Sequence, residues 1–268
     1  MRVVGLFHYP VKALRGVAVE SLVLGPNGPV NDREFMVVDE AGRFLSQRNA
    51  PRLATLSARV DASVLRLEDD QGAALEVPVE AKGPRRDVTV WRDTVSAVDC
   101  GDDAARWFES RLGLPCRLVR FPADASRAVD PKYTSRPDAQ TRFTDGYPLL
   151  VTNTASLVDL NRRLERPLGM ERFRPNVVVE TATPWSEDEW RTLRVGDVVL
   201  DLVKPCARCV VITTDQRTGA RPDGSAPLST LAAFRTQSPH GAIFGQNAIH
   251  RGPSTLTLGT TVEVLQAT

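Results

Sequence analysis

The sequence has little that would assign it to the secretory route, a membrane or nucleic acid. Its four cysteines among 268 residues are too few and too unevenly spaced for a disulfide framework, so we expect a cytoplasmic protein. No apolar run approaches the length of about 18 residues that a membrane-spanning helix needs, so no membrane association is predicted. The 34 Lys and Arg residues nearly balance the 33 Asp and Glu residues, which gives no electrostatic case for nucleic-acid binding.

The motifs of the common nucleotide-binding folds are also absent. The chain contains neither a GxGxxG turn after a strand nor a GxxxxGK[ST] loop. Strand-like segments do not alternate regularly with helical ones, which disfavours a doubly wound parallel sheet. Short apolar and β-branched runs dominate instead, including one predicted over Asp87–Ala97. The sequence therefore predicts a β-rich α+β fold with a few peripheral helices.

The chain divides into two β-rich halves around a polar stretch. Residues 123–142 are polar, contain prolines and show no hydrophobic periodicity, so they predict a linker. The first half, residues 1–122, is predicted to contain strands and a helix over Cys100–Leu112, which has an acidic first turn and which Gly113 would end. The second half, residues 143–268, is predicted to contain further strands and short helices.

The segment whose side chains are most suited to carrying out chemistry is Cys206-Ala207-Arg208-Cys209. A structural zinc site needs four ligands, and the remaining cysteines and histidines are too scattered to complete one. A thioredoxin-type pair should open a helix, whereas these cysteines lie between two runs that look like strands. The alternative is that both cysteines are buried structural thiols, and without further context the segment favours this structural role over a functional one. Arg208 shifts the balance towards a functional thiolate, because a guanidinium beside a thiol stabilises its deprotonated form.

Further segments combine polar side chains with turns or strands. Phe173-Arg174-Pro175-Asn176 would place its Arg and Asn on one face of a strand, as a phosphate or heterocycle site or as a salt-bridged surface. Asp145-Gly146-Tyr147-Pro148 is typical of a turn, and a ligand-binding loop is the second interpretation of this segment. The glycine in Phe244-Gly245-Gln246-Asn247 permits close approach of a ligand and equally permits a β-bulge. Lys12 and Arg33 each lie beside a turn, where either a site or a solvated surface charge is possible.

Seven motifs follow one another along the chain: Tyr9-Pro10-Val11-Lys12 with Gly16, Asp32-Arg33, Ser46-Gln47-Arg48 with Pro51-Arg52-Leu53, Phe173-Arg174-Pro175-Asn176, Gly196-Asp197, Cys206-Ala207-Arg208-Cys209, and Phe244-Gly245-Gln246-Asn247. In this order they resemble the MOSC proteins, more narrowly the branch in which an N-terminal MOSC β-barrel domain precedes the MOSC domain. That branch includes the mitochondrial amidoxime-reducing component and its bacterial relatives. The resemblance covers nearly the whole chain and implies a β-barrel-like domain followed by a MOSC-type β-barrel domain.

The resemblance also implies a bound molybdenum cofactor. In MOSC proteins the second cysteine of this segment ligates molybdenum, which makes Cys209 the implied metal ligand and catalytic residue, and a thiolate suits so soft a metal. The positions that match cofactor-contacting residues are Lys12, Arg33, Thr144, Asp145, Gly146, Tyr147, Arg174, Asn176, Arg208 and Asn247. Lys12 and Arg33 would reach the pterin and phosphate end of this anionic cofactor. Arg208 would lie against the cofactor and favour the Cys209 thiolate.

The implied activity is the reduction of small N-hydroxylated substrates, such as amidoximes and hydroxylamines, by transfer of their oxygen to the reduced metal. No cysteine pattern for an iron–sulfur cluster occurs, so electrons are expected from a separate ferredoxin-, flavodoxin- or cytochrome b5-like protein. Two other classes of protein stay open. One is a molybdenum-cofactor carrier or sulfur-transfer module, although nothing here supplies the pyridoxal-dependent half of a sulfurase. The other is a thiol–disulfide or structural protein that uses only its cysteine pair.

Overall fold

The computed structural model describes residues 1–80, 82–134 and 136–267. Residue 135 of the predicted linker and residue 268 of the predicted second domain lie outside the described residues, as does residue 81. The strands of the first half are β1 (Arg2–His8), β2 (Val17–Ala18), β3 (Ser21–Gly25), β4 (Gly28–Pro29), β5 (Phe35–Asp39), β6 (Ser57–Asp61), β7 (Val64–Glu68), β8 (Ala74–Pro78), β9 (Arg85–Val90), β10 (Asp93–Asp99) and β11 (Cys116–Arg120). Helix α1 (Asp102–Leu112) ends as predicted at Gly113, whose left-handed backbone (φ 71°) caps it.

The second half contributes the strands β12 (Leu149–Asn153), β13 (Val177–Glu180), β14 (Trp190–Val195), β15 (Val198–Ala207), β16 (Thr236–Gln237), β17 (Gly241–His250), β18 (Ser254–Thr257) and β19 (Val262–Ala267), and the helices α2 (Thr154–Asn161) and α3 (Ala226–Arg235). Short 3-10 turns cover Pro51–Thr55, Pro131–Tyr133, Met170–Phe173, Ser186–Asp188 and Val210–Thr213. The predicted β-rich α+β fold is confirmed. Across the described ranges, no helix is both long and apolar enough to cross a membrane.

A large sheet joins the two ends of the chain. Its nine strands run in the order β19-β14-β15-β17-β12-β13-β1-β2, with β16 paired to β17. β1 is antiparallel to β13, with Leu6 opposite Val177, and both residues share a buried apolar cluster with Leu200 of β15. The first strand of the chain thus lies in the sheet of the second half. The division into residues 1–122 and 143–268 stays a prediction.

The rest of the first half packs around a core of its own. It contains a four-stranded sheet, β5-β11-β10-β9, and a three-stranded sheet, β6-β7-β8. Phe35 of β5, Leu65 of β7 and Phe108 of α1 meet in one buried cluster. Burial alternates along β7, as expected of a strand that covers a core on one face. This core supports the loops that face the second half.

Three local predictions differ from the structure near the site. Asp87–Ala97, predicted as one run, is a hairpin that turns at Trp91 between β9 and β10. A two-residue turn without Gly or Asn leaves no signal in the sequence. Arg174 precedes β13 and has a left-handed backbone, so it is not part of the strand. Cys206 lies in β15, which ends at Ala207. Cys209 is followed directly by the 3-10 turn Val210–Thr213, which takes the place of the predicted second strand after the cysteines.

Candidate functional site

A cavity of about 420 Å³ lies where the two halves of the chain meet. This volume is within the range of small-molecule sites, about 300–1,000 Å³. All eleven residues predicted from the resemblance line it: Lys12, Arg33, Thr144, Asp145, Gly146, Tyr147, Arg174, Asn176, Arg208, Cys209 and Asn247. The wall also contains residues that were not among these predictions, notably Phe44, Gln47, Arg48 and Trp91. The structure thus brings the predicted residues together, while their roles stay predictions.

The described wall of the cavity has an excess of positive charge. Five basic side chains line it, those of Lys12, Arg33, Arg48, Arg174 and Arg208, against the one carboxylate of Asp145. Cations that are partly withdrawn from water gain from a negative partner. The cavity therefore favours an anionic ligand.

Lys12 and Asp145 pair across the two halves, with Lys12 Nζ donating to Asp145 Oδ1 at 2.5 Å. Burial lowers the pKa of Lys12, and the charge of Asp145 opposes that shift. The protein groups that surround the cavity keep part of the water away from Asp145, which acts to raise its pKa. The charge and hydrogen bond of Lys12, helped by a hydrogen bond from Trp91, nevertheless hold that pKa well below its ordinary value. Asp145 is therefore a carboxylate at neutral pH, and its side chain stays 72% exposed because it faces the open cavity.

The two cysteines lie at the end of β15 and have different neighbours. Arg208 Nη1 donates to Cys206 Sγ at 2.8 Å, and Arg208 Nη2 donates to the Phe173 carbonyl at 2.7 Å. Burial raises the pKa of Cys206, and the charge of Arg208 opposes the shift. The predicted support of Cys209 by Arg208 is corrected: in an extended segment, residues 206 and 208 share a face.

The basic neighbour of Cys209 comes from the first half of the chain. Arg48 Nη2 lies 3.3 Å from Cys209 Sγ. The same guanidinium lies over the indole of Trp91, 4.6 Å from the ring centroid. Arg48 is part of the Ser46-Gln47-Arg48 motif, but nothing local in the sequence connects it to a cysteine 161 positions away.

Residues of the second half clamp the loop that carries Arg48. Gln47 and Gln216 exchange side-chain hydrogen bonds of 3.0 and 2.9 Å, and Gln47 Nε2 also donates to the Ala13 carbonyl at 2.7 Å. Arg221 Nη2 donates to the Gln47 carbonyl at 2.8 Å. These bonds are buried or partly buried, where hydrogen bonds give firm positioning. The position of Arg48 is therefore set by contacts between the halves.

Arg174 and Asn176 both reach the cavity, but by different means. Arg174 has φ 55° after the turn Met170–Phe173, and its Nη1 donates to the Leu14 carbonyl at 2.6 Å. Asn176 is almost fully buried, and its Oδ1 accepts from Arg33 Nη1 at 3.1 Å. The prediction that the two share a strand face is wrong, because the left-handed backbone at Arg174 interrupts the extended run. In the structure Asn176 positions Arg33.

Tyr9 holds the two neighbouring arginines. The Cζ atoms of Arg33 and Arg174 lie 4.0 and 4.3 Å from its ring centroid. Burial raises the pKa of Tyr9 to about 12 and lowers that of Arg174 to about 10. A neutral aromatic face stabilises cations that would otherwise repel one another. Tyr9 belongs to the first motif, but its role depends on a contact that the sequence does not reveal.

Arg127 fixes the loop that carries Thr144 and Asp145. Its buried Nη1 donates to the carbonyls of Arg142 and Thr144 at 2.8 and 2.7 Å. Arg127 lies within residues 123–142, the predicted linker. Part of that stretch therefore supports the cavity wall, and this support was not predicted.

β17 supplies Asn247 and Gly245. Asn247 Nδ2 donates to the Pro205 carbonyl at 3.4 Å, next to the segment of Cys206. Gly245 has φ 75°, and an added Cβ would lie 2.7 Å from the Val151 carbonyl oxygen. Of the two interpretations of this glycine, the β-bulge applies, because the pairing of β15 with β17 shifts register between Pro205, opposite Gln246, and Ala207, opposite Ile243.

Left-handed backbone concentrates around the cavity. Among the described residues, seven non-glycine residues have positive φ, and four of them line the cavity: Ala13 (71°), Arg33 (44°), Trp91 (57°) and Arg174 (55°). Each such residue costs about 1–2 kcal/mol. Strain of this kind persists where the surroundings hold a side chain in a required direction. Here the left-handed backbone directs the guanidinium groups of Arg33 and Arg174 and the indole of Trp91 towards the cavity.

These features define a class of protein, in which two β-rich parts enclose a cationic cavity with a cysteine in its wall. Residues 1–115 match the MOSC N-terminal beta barrel domain, and residues 138–263 match the MOSC domain. The chain belongs to the MOSC family, in the branch that combines both domains.

Relatives at similar identity share most of their length with the chain. It is 34% identical to mitochondrial amidoxime-reducing component 1 of Mus musculus, over 97% of this chain and 81% of that protein. The identity to the Homo sapiens component 1 is 33%, over 97% and 82%. The identity to the Homo sapiens component 2 is 34%, over 87% and 72%. The resemblance inferred from the seven motifs is confirmed.

Proposed function

We propose that this protein is a molybdenum-cofactor-dependent reductase of small N-hydroxylated compounds that receives electrons from a separate protein. The observation that carries the proposal is the placement of Cys209 in a cavity wall, beside a guanidinium and among basic side chains. The relatives are named amidoxime-reducing components, which supports the N-hydroxylated substrate class.

The residues of the cavity fit an anionic cofactor that carries a soft metal. A thiolate is the protein ligand that such a metal prefers, and Cys209 is half-buried with a cationic donor at its sulfur. Arg208 Nε is buried and has no hydrogen-bond partner among the described residues, so this wall has a donor to spare. When bound, the molybdenum centre would supply the redox chemistry that removes oxygen from an N–O bond.

The protein residues would bind and orient. Cys209 would hold the metal, and Arg48 would hold the Cys209 sulfur through its hydrogen bond. Lys12 and Arg33 would bind the anionic end of the cofactor. Asn176 would keep the Arg33 guanidinium in place. The remaining predicted positions in the wall, Thr144, Asp145, Gly146, Tyr147, Arg174, Arg208 and Asn247, complete the proposed cofactor site.

The test uses protein purified from a host that makes molybdenum cofactor. Molybdenum and pterin content are measured first, and reduction of benzamidoxime with an artificial electron donor second. Stoichiometric molybdenum together with turnover is expected. Molybdenum without turnover of any N-hydroxylated compound would instead support a carrier or sulfur-transfer module. Absence of molybdenum, with a reducible Cys206–Cys209 disulfide, would support a thiol–disulfide protein.

The partner and the location complete the proposal. The electron donor is proposed to be a small ferredoxin-, flavodoxin- or cytochrome b5-like protein, which co-purification followed by reconstituted turnover would identify. The cytoplasm is the proposed location, and cell fractionation tests it.

A further inference from the structure

The turn between β9 and β10 carries an aromatic side chain into the cavity wall. Trp91 is the first residue of a two-residue turn between the paired residues Val90 and Asp93, and its φ is 57°. Turns of this length that need positive φ favour Gly, Asn or Asp, because larger residues are strained there. A tryptophan at this position costs stability, so its side chain is the feature that needs an explanation.

The indole is fixed in place and still partly open. Trp91 Nε1 donates to Asp145 Oδ1 at 3.1 Å, and the Arg48 guanidinium lies over the ring. The Phe44 ring lies 5.2 Å away, tilted by 57°. Trp91 is nevertheless 45% exposed, whereas Trp107 is buried. These contacts thus hold the ring, while Trp91 lines the cavity and keeps part of its surface exposed.

The neighbouring carboxylate has a free oxygen. The hydrogen bonds from Lys12 Nζ and Trp91 Nε1 both go to Asp145 Oδ1. Oδ2 accepts no hydrogen bond from the side chains and backbone that the structure describes. A carboxylate oxygen has room for further donors. A flat ligand on the indole would therefore have an acceptor for N–H groups close at hand.

From this geometry we infer that Trp91 is a specificity-determining residue, the aromatic wall on which planar, conjugated N-hydroxylated substrates stack. The inference rests on the proposed function and narrows its substrate class to arylamidoximes and N-hydroxylated heteroaromatic compounds. Aromatic stacking is worth up to about tenfold in affinity beyond the burial of area. Aliphatic substrates have no π-face and do not gain this factor.

The test compares benzamidoxime with acetamidoxime in wild-type protein, Trp91→Ala and Trp91→Phe. Trp91→Ala should lower kcat/KM for benzamidoxime about tenfold more than it lowers kcat/KM for acetamidoxime, and the difference should lie mainly in KM. Trp91→Phe should keep most of the preference, because it retains a ring while losing the hydrogen bond to Asp145. Calorimetric binding of the two amidoximes should show the same order without turnover.

Controls separate stacking from positioning and from misfolding. Trp107→Phe alters a buried tryptophan and should leave the selectivity unchanged, while circular dichroism checks that the Trp91 variants fold. Equal losses for both substrates, not restored by Trp91→Phe, would show that Trp91 only positions Asp145 and Arg48, and would overturn the inference. If wild-type protein reduces neither amidoxime, the proposed function fails. The stacking inference is then tested by calorimetry alone, and equal affinity for the two amidoximes would overturn it.

Discussion

Arg48 and Cys209 meet at 3.3 Å although 161 positions separate them in the chain. Arg48 lies in a loop of the first half, and Cys209 lies two residues beyond the end of β15 in the second half. The surroundings of the Cys209 sulfur are therefore complete only when the two halves are docked. We expect substitutions in the first half to affect any metal that this cysteine holds.

Arg48→Lys should lower molybdenum retention and N-oxygen reduction at least about tenfold. A compact ammonium cannot lie flat on the Trp91 ring and donate to Cys209 Sγ at the same time. The measurements are the molybdenum-to-protein ratio after gel filtration and turnover of benzamidoxime. Arg217→Lys, at an exposed position, is the matched control and should behave as wild type. Equal molybdenum content in the two variants would contradict the prediction.

The two cysteines should respond differently to the same substitution. Cys209→Ser is expected to abolish turnover and molybdenum retention, because a hydroxyl replaces the soft ligand. Cys206→Ser should retain molybdenum, since its sulfur already has Arg208 Nη1 as a partner at 2.8 Å. Metal analysis of both purified variants decides the matter. Full turnover by Cys209→Ser would rule out the proposed ligand.

Gly245 should be far less tolerant of a side chain than Gly241 in the same strand. Both have positive φ, 75° and 80°, so alanine costs about 1–2 kcal/mol at either position. An added Cβ meets nothing within 4 Å at Gly241 but lies 2.7 Å from the Val151 carbonyl oxygen at Gly245. Denaturant unfolding should therefore show an extra loss of about 2 kcal/mol for Gly245→Ala. Equal losses of unfolding free energy for Gly245→Ala and Gly241→Ala would show that β12 and β17 can move apart to accept the added methyl group without cost.

His250 should make the stability depend on pH. Its Nε2 donates to the Gly25 carbonyl at 2.9 Å. Burial lowers the pKa of His250, the Gly25 carbonyl opposes this, and Arg136 adds to it. Because the folded state holds the proton less tightly than the unfolded state, the stability is full above the unfolded pKa of about 6.5 and falls as the pH drops through it.

The measurement is the free energy of unfolding between about pH 7 and pH 5. His250→Gln should give a shallower decline than wild type, because glutamine retains a donor for the Gly25 carbonyl and does not titrate. Burial also lowers the pKa of His8, so part of the decline should remain. If the free energy of unfolding falls with pH equally steeply in wild type and in His250→Gln, His250 does not contribute to the pH dependence.

Local signals in the sequence account for much of the fold. An acidic first turn and Gly113 place the ends of α1 to within two residues. Alternating apolar residues predict strands such as β7, because burial on one face has a period of two. Seven of the eleven predicted cavity residues could be found because they lie in motifs that follow a fixed order along the chain, although those motifs are far apart in the sequence.

The contacts within the site could not be predicted, for physical reasons that differ between residues. Arg48 meets Cys209 through docking of the halves, and no local pattern encodes that docking. Trp91 occupies a turn in which the usual Gly or Asn is missing, so the hairpin resembles one strand. The left-handed backbone of Arg174 depends on its tertiary surroundings, which propensity does not include.

The pairing of β1 with β13 constrains how this chain is made and how it can change. Leu6 faces Val177, so a ribosome adding 5–20 residues per second finishes the partner roughly 10–30 s after the first strand emerges. Until then the nascent strand has an unpaired edge, which is a hazard for aggregation. A recombination event that exchanged only the second half would replace the neighbour of β1 in the large sheet. We therefore expect the two halves to fold and to be inherited as one unit.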